Sequence, residues 1–200
     1  MIYAAEQKRT EVIKQRKEWE EFIQSADPEK LVFLDESGIN TDFTRNYGRS
    51  IGKSRVIDHV PRNTPKTTTV VSSIRLNGEH AHQTVEGAMN TEKFKTYIKD
   101  VLCPTLKPGD IVIMDNLSIH KNKSIEELIK AVGATVKFLP PYSPDFNPIE
   151  MLWSKMKAFL RKWKIRIREF LPAAVDKALS YVSSLDCRDW FTACQCCQHF

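Results

Sequence analysis

The sequence predicts an α/β fold, a mixed β-sheet flanked by helices, and three observations predict it. Two short, continuous apolar runs, "LVFLD" and "IVIMD", have the character of strands covered on both faces. Between them, "TTTVVSSIRLNGEHAHQTVEG" holds two β-rich runs joined at Asn77-Gly78, a strong short-range hairpin signal. Beyond the hairpin, segments with helical apolar spacing alternate with short strands. The order strand, hairpin, helix, strand, helix, strand, helix suits one sheet with helices on its faces.

The elements follow in chain order. Glu6 to Ser25 is highly charged, with Val12, Trp19, Phe22 and Ile23 as sparse apolar marks, so it reads as a lead-in helix outside the core, ended by Asp27-Pro28. "KLVFLDES" is the first strand. "RNYGRSIGKSRVIDHVPRN", with Gly48 and Gly52, reads as an irregular, mobile connection to the hairpin. Thr91 to Leu106 carries a helical stripe at Phe94, Tyr97, Ile98, Val101 and Leu102, closed by Pro104 and Pro108-Gly109. "DIVIMDN" is a second buried strand. Ser124 is expected to cap a helix through Ile125, Leu128, Ile129 and Val132 that Gly133 stops, and "ATVKFLP" is a third short strand. Two amphipathic helices are expected at the end, around Leu171 to Val182 and Cys187 to Cys197. The expected division is 1–28 as lead-in helix or linker, 29–168 as the main domain and 169–200 as a helical extension.

Composition narrows the function classes. Two hundred residues, 42% hydrophobic, suffice for a real core. The net charge of +5 is mild, but it is clustered: from Trp153 to Phe170 seven basic residues face one acid, Glu169, giving 7 − 1 = +6. No apolar run approaches the roughly 20 residues that span a bilayer, and the N-terminus lacks the apolar region of a signal peptide, so no membrane partner and a cytoplasmic location are expected. Five cysteines are an odd number and not a disulfide framework, and "CQCCQH" lacks the separated pairs of a zinc site.

Three acids carry the chemistry. Asp35 and Asp115 each follow four apolar residues directly, so on adjacent parallel strands both carboxylates emerge at one sheet end, where ligands of open α/β sheets bind. Asp also favours turns, which would explain either residue alone. Glu150 lies three residues after Asn147 in "NPIE", a pattern that a capping box would also produce. A cap does not explain the preceding "LPPYSPDF", whose prolines fix an extended, turning path and specify where the next helix starts. Three converging carboxylates suit two magnesium or manganese ions about 3.5–4 Å apart, the arrangement that stabilises both the attacking and the leaving oxygen in phosphoryl displacement.

"FLDESG", "IVIMDNLSIH" and "LPPYSPDFNPIEMLWSKMK", with 34 residues between Asp115 and Glu150, resemble the catalytic domain of bacterial insertion-sequence transposases in the mariner-related DDE superfamily. The resemblance runs from about Leu31 to Trp163. It implies a ribonuclease H-like fold, catalytic and metal-holding roles for Asp35, Asp115 and Glu150, hydrolytic cleavage at transposon ends, and attack of the freed 3′-OH on target DNA, commonly at TA. Full-length relatives carry N-terminal helix-turn-helix modules, whereas here a single charged helix precedes the first strand. The chain is therefore expected to be a frameshift partner of an upstream helix-turn-helix reading frame, a truncated remnant, or a catalytic subunit whose reader acts in trans. DNA and a second copy of the chain in a homodimer are the other expected partners.

Further candidates surround the acids. Lys155, Lys157, Arg161, Lys162 and Lys164 continue from the Glu150 helix and are expected to contact DNA phosphates, although Trp153, Met156, Phe159, Leu160 and Trp163 supply the stripe of an ordinary surface helix. Arg45, Arg49 and Lys53, with Arg55, could grip DNA or a partner subunit from the first connection. Asn116, His120 and Asn147, with Glu36 and Asp145, are candidates to support the acids from behind, although a lone His is more often structural and for Asn116, Glu36 and Asp145 turn or cap formation weighs more. Two competing functions stay open: a ribonuclease H-like structure-specific nuclease, and an inactive or co-opted DNA-binding remnant.

Overall fold

The computed structural model describes residues 5–45, 47–52, 54–61 and 67–197. Five strands, β1 (Leu31–Ile39), β2 (Thr68–Ile74), β3 (His80–Glu86), β4 (Ile111–Met114) and β5 (Thr135–Phe138), form one sheet in the order β3-β2-β1-β4-β5. The hairpin β2–β3 turns at Gly78, whose φ of +93° favours glycine, and β2 pairs antiparallel with β1. β4 and β5 run parallel to β1. Helices cross over the sheet as the sequence predicts: α1 (Thr10–Ser25), α2 (Thr91–Tyr97), α3 (Lys123–Ala131), α4 (Ile149–Trp163), α5 (Leu171–Leu179) and α6 (Ser184–Ala193).

β1 lies in the middle of the sheet, and its side chains alternate between two cores as a strand's period of two requires. Leu31 and Phe33 face a core built with α1, α4, α5 and α6, through Trp19, Leu152, Met156, Val175 and Phe191. Val32 and Leu34 face a second core with Phe94 and Tyr97 of α2 and Ile125 and Ile129 of α3. The same alternation aims Asp35 at the α4 layer and Glu36 at the α2–α3 layer.

Several local expectations change. α1 is not confined to the surface, because Val12, Trp19 and Ile23 are buried. The cap of α3 is Asn122, whose side chain accepts from the Ser124 N–H, because Asn122 keeps the extended backbone that a cap requires while Ser124 is already helical. α2 widens over Ile98–Leu102 and then tightens over Cys103–Thr105, a turn that contains Pro104, before the helical run ends at Leu106. α6 starts at Ser184, earlier than its apolar residues suggest, because Ser183 and Asp186 form a capping box. Cys194 and Cys196 are buried as small core residues, and burial pushes the Cys194 thiol up to about 12. The connection from β1 to β2 is irregular over its described residues, with Tyr47, Ile51 and Ile57 exposed. Among the described residues no helix is long and apolar enough to cross a membrane.

Candidate active site

Asp35 and Asp115 stand at one level on neighbouring strands. The parallel register of β1 with β4 pairs Phe33 with Ile113, so two residues further on the acids fall side by side just beyond the end of β4. Asp35 lies within β1 rather than at its end: the strand continues to Ile39, held by β2 alone. The sheet edge left where β4 stops opens a cavity of about 690 Å³ lined by Asp35, Glu36, Asp115, Asn116, Asn147 and Glu150 with the loop from Leu139 to Pro144.

Each aspartate is oriented. Asp35 Oδ1 accepts from the Glu36 N–H at 2.8 Å, and Oδ2 accepts from Trp153 Nε1 at 3.2 Å. Burial, with the charges of Glu150 and Glu36, pushes the Asp35 carboxyl up to about 7 despite those bonds. Asp115 Oδ1 accepts from the Leu117 N–H at 2.9 Å and from His120 Nδ1 at 2.6 Å. Burial opposes its ionisation, but His120 and the Leu117 N–H outweigh burial and hold it below the usual carboxylate range.

His120 is fully buried between two acids, with Nδ1 on Asp115 and Nε2 at 3.0 Å and 3.1 Å from the oxygens of Glu36, and its ring packs 4.6 Å from that of Phe94. Burial disfavours its charged form, yet the two carboxylates win and push its pKa up to about 9, so at neutral pH the ring is an imidazolium donating from both nitrogens. It therefore supports Asp115 from behind, and Glu36 is more than a turn former.

Glu150 occupies the first turn of α4 and is exposed to the cavity. The capping-box reading of "NPIE" fails: α4 begins after Pro148 with no side-chain cap, and the buried Oδ1 of Asn147 has no hydrogen-bond partner. Proline at 148 is already helical, so the cap geometry that Asn147 would need is displaced. The Glu150 carboxylate is thus free of a capping role. Burial raises its pKa, Lys157 opposes the rise, and the charge of Asp115 adds to it.

Among the described residues no three His, Cys, Asp or Glu side chains close into a ready-made metal cage. The donor set nonetheless fits a hard divalent cation: four carboxylates line one cavity, of which Glu36 is bonded to His120, and Asp35 and Glu150 are both raised partly by a neighbouring acid. The orphaned Asn147 oxygen adds a further hard acceptor beside them.

A family model for the DDE superfamily endonucleases matches residues 30–171. The chain belongs to that family. Its fold is shared with solved structures of Mos1, a mariner transposase. The Mos1 paired-end complex with magnesium superposes with a TM-score of 0.76 at 14% identity, covering 98% of this chain and 61% of that one. The Mos1 paired-end complex with the left transposon end gives 0.74 at 14%, covering 96% and 61%. The isolated Mos1 catalytic domain gives 0.64 at 13%, covering 96% and 90%. The ribonuclease H-like fold expected from the sequence is the fold observed. This chain spans about three-fifths of the length of the Mos1 chains in the transposon-end complexes. A sequence search of curated proteins finds no match.

In this member of the DDE superfamily much of the basic segment is committed to internal contacts. Lys155 pairs with Asp186 at 2.6 Å, and Lys164 pairs with Asp58 at 2.6 Å. Arg161 lies over the Phe43 ring at 5.4 Å, and Arg166 donates to the carbonyls of Thr41 and Phe43. These contacts tie α6 and the first connection, at Thr41, Phe43 and Asp58, to α4 and the residues just after it. Lys162 is exposed, and Lys157 faces the Glu150 side of the helix closely enough to act on its carboxylate. Arg45 and Arg49 are exposed on the first connection, and Lys53 lies outside the described residues. Asn116 lines the cavity while its Nδ2 donates to the Leu139 carbonyl, which holds the start of the proline-rich loop.

In the sequence Trp153 stands out only as part of the helix stripe, and its bond to Asp35 emerges with the tertiary structure. Its position three residues after Glu150 puts both on adjoining helix faces, which is the available signal. The grip of Arg16 on Asp145, at 2.6 Å, has no local signal at all.

Proposed function

We propose that the chain is the catalytic domain of a DNA transposase, in which Asp35, Asp115 and Glu150 hold two magnesium or manganese ions. The observation that carries this reading is the shared level of Asp35 and Asp115 on parallel neighbours, with an uncapped Glu150 facing the same cavity, in a member of the DDE endonuclease family. The ions, when bound, would polarise the attacking oxygen and stabilise the leaving one.

The chain's own residues prepare that chemistry. Trp153 and the Glu36 N–H each hold one oxygen of Asp35, which orients its carboxylate in the cavity. His120 occupies Oδ1 of Asp115 and leaves Oδ2 uncommitted among the described residues. In the first step water attacks a phosphodiester phosphorus, the P–O3′ bond breaks, and the 3′-oxygen leaves as a hydroxyl. In the second step that 3′-OH attacks a phosphodiester of target DNA, forming a new P–O bond as the target's own 3′-oxygen leaves. Both are in-line displacements, so one pair of metal positions serves both. Lys157 and Lys162, with Arg45 and Arg49, are placed to meet DNA phosphates, and homodimerisation and an upstream end-reading module complete the proposed assembly. Residues 29–168 form the proposed catalytic unit.

The test is nicking of supercoiled plasmid and joining of a pre-cut 3′-OH oligonucleotide to target, each with manganese. Asp115→Asn and Glu150→Gln should each abolish both reactions while DNA retention is kept. Nicking without joining would point instead to a structure-specific nuclease, and absence of manganese uptake to a non-catalytic remnant.

A further inference from the structure

We propose that Arg16 of α1 is a positioning residue for Glu150, acting through the proline-rich loop, an inference that rests on the metal-holding reading of Glu150. Its guanidinium makes a fork on Asp145, with Nη1 at 3.0 Å from Oδ1 and Nη2 at 2.6 Å from Oδ2. Nη1 also donates to Ser143 Oγ at 2.7 Å. The same group lies 4.1 Å over the Phe146 ring, and Trp19, one turn along α1, stacks on that ring at 6.5 Å. Gln7 adds a bond of 2.6 Å to the Tyr142 carbonyl. Residues 142, 143, 145 and 146 are thus gripped from one side by α1 and the turn that precedes it.

The loop needs an external grip. Tyr142 holds a φ of +56°, a left-handed conformation costly for a bulky residue, and Pro140, Pro141 and Pro144 donate no backbone hydrogen bonds. The loop's own bonds are short-range ones, Ser143 Oγ to the Pro141 carbonyl and the Phe146 and Asn147 N–H groups to the carbonyls of Ser143 and Pro144. Downstream, α4 starts without a side-chain cap. What sets the height of its first turn against the sheet is therefore the seating of its apolar face and the Trp153 bond to Asp35, together with the clamp five residues before Glu150. A two-bond arginine–carboxylate fork constrains orientation as well as distance, which a single lysine contact does not.

The experiment is a titration of the whole chain with manganese alone, followed by electron paramagnetic resonance, beside thermal unfolding. Comparison of the wild type with Glu150→Gln defines the Glu150-dependent uptake. Arg16→Met should weaken that uptake about tenfold, in the range seen when supporting partners of metal ligands are removed. Arg16→Lys should recover part of the loss, and Arg16→Met combined with Asp145→Asn should be no weaker than Arg16→Met alone. Val12→Ala, a buried truncation on the same helix, should lower the melting temperature and leave uptake unchanged. Wild-type uptake in Arg16→Met would overturn the proposal, as would an equal loss in Val12→Ala at an equal fall in melting temperature. Wild-type uptake in Glu150→Gln would instead overturn the metal-holding reading itself.

Discussion

Trp153 Nε1 donates to Asp35 Oδ2 at 3.2 Å, so the helix whose first turn carries Glu150 is bonded to the strand that carries Asp35. Two acids distant in the chain thereby share one tether. Trp153→Phe keeps most of the buried ring and removes only the donor. It should lower stability by about 1.5 kcal/mol in urea unfolding, the scale of a hydrogen bond to a charged group. Plasmid nicking should fall with it, because Asp35 then loses the partner that favours its ionised form.

His120 separates the carboxylates of Asp115 and Glu36 as a buried cation. His120→Ala leaves two acids facing each other across a cavity and should cost about 3 kcal/mol, the lower end for breaking a buried ion pair. Adding Glu36→Gln should restore part of that loss. Chemical denaturation of the two single variants and the double variant measures the coupling, and strict additivity would contradict the bridge.

Far from the cavity, at the opposite end of β4, Arg75 Nη2 donates to Asp110 Oδ2 at 2.6 Å in a nearly buried pair. Burial alone would raise the Asp110 pKa, but Arg75 and the Lys107 N–H hold it below its ordinary value. A carboxylate depressed in the folded state contributes stability that is present above its unfolded pKa, near 4, and is lost as pH falls through the folded value. Asp110→Asn should therefore be less stable at pH 7 and show a flatter loss below about pH 4 in acid unfolding followed by circular dichroism.

The basic residues divide by partner. Lys157→Ala and Lys162→Ala should each reduce the salt dependence of duplex binding, by about 0.9 in log–log slope for each phosphate left without its counter-charge. Lys155→Ala, which breaks the pair with Asp186, should lower the melting temperature and leave the slope unchanged. Fluorescence anisotropy at several salt concentrations separates the two classes.

The succession of elements along the chain, the hairpin and the proline-guided entry to α4 are legible from residues alone, whereas the order of strands in the sheet, which brings Asp35, Asp115 and Glu150 to one cavity, is not. Apolar runs, Asn77-Gly78 and the prolines each act within a few positions of the backbone, so their effect needs no distant partner. The cap assignments at Ser124 and Asn147 fail for a related reason: several polar residues near a helix start compete for one geometry, and the backbone around Pro148 and Asn122 decides between them. The basic stretch after Glu150 looks like a uniform DNA face in the sequence because charge counts do not reveal Asp186 or Asp58 folded against it.

Chemistry that is local along the chain, an acid after an apolar strand or a glutamate after a rigid loop, is set before folding. The placement of Trp153 on Asp35, of His120 between Asp115 and Glu36, and of Arg16 on Asp145 belongs to the tertiary structure. Those contacts join residues separated by up to 129 positions, and only the packing of α1 and α4 on one face of the sheet and α2 and α3 on the other brings them within hydrogen-bond reach.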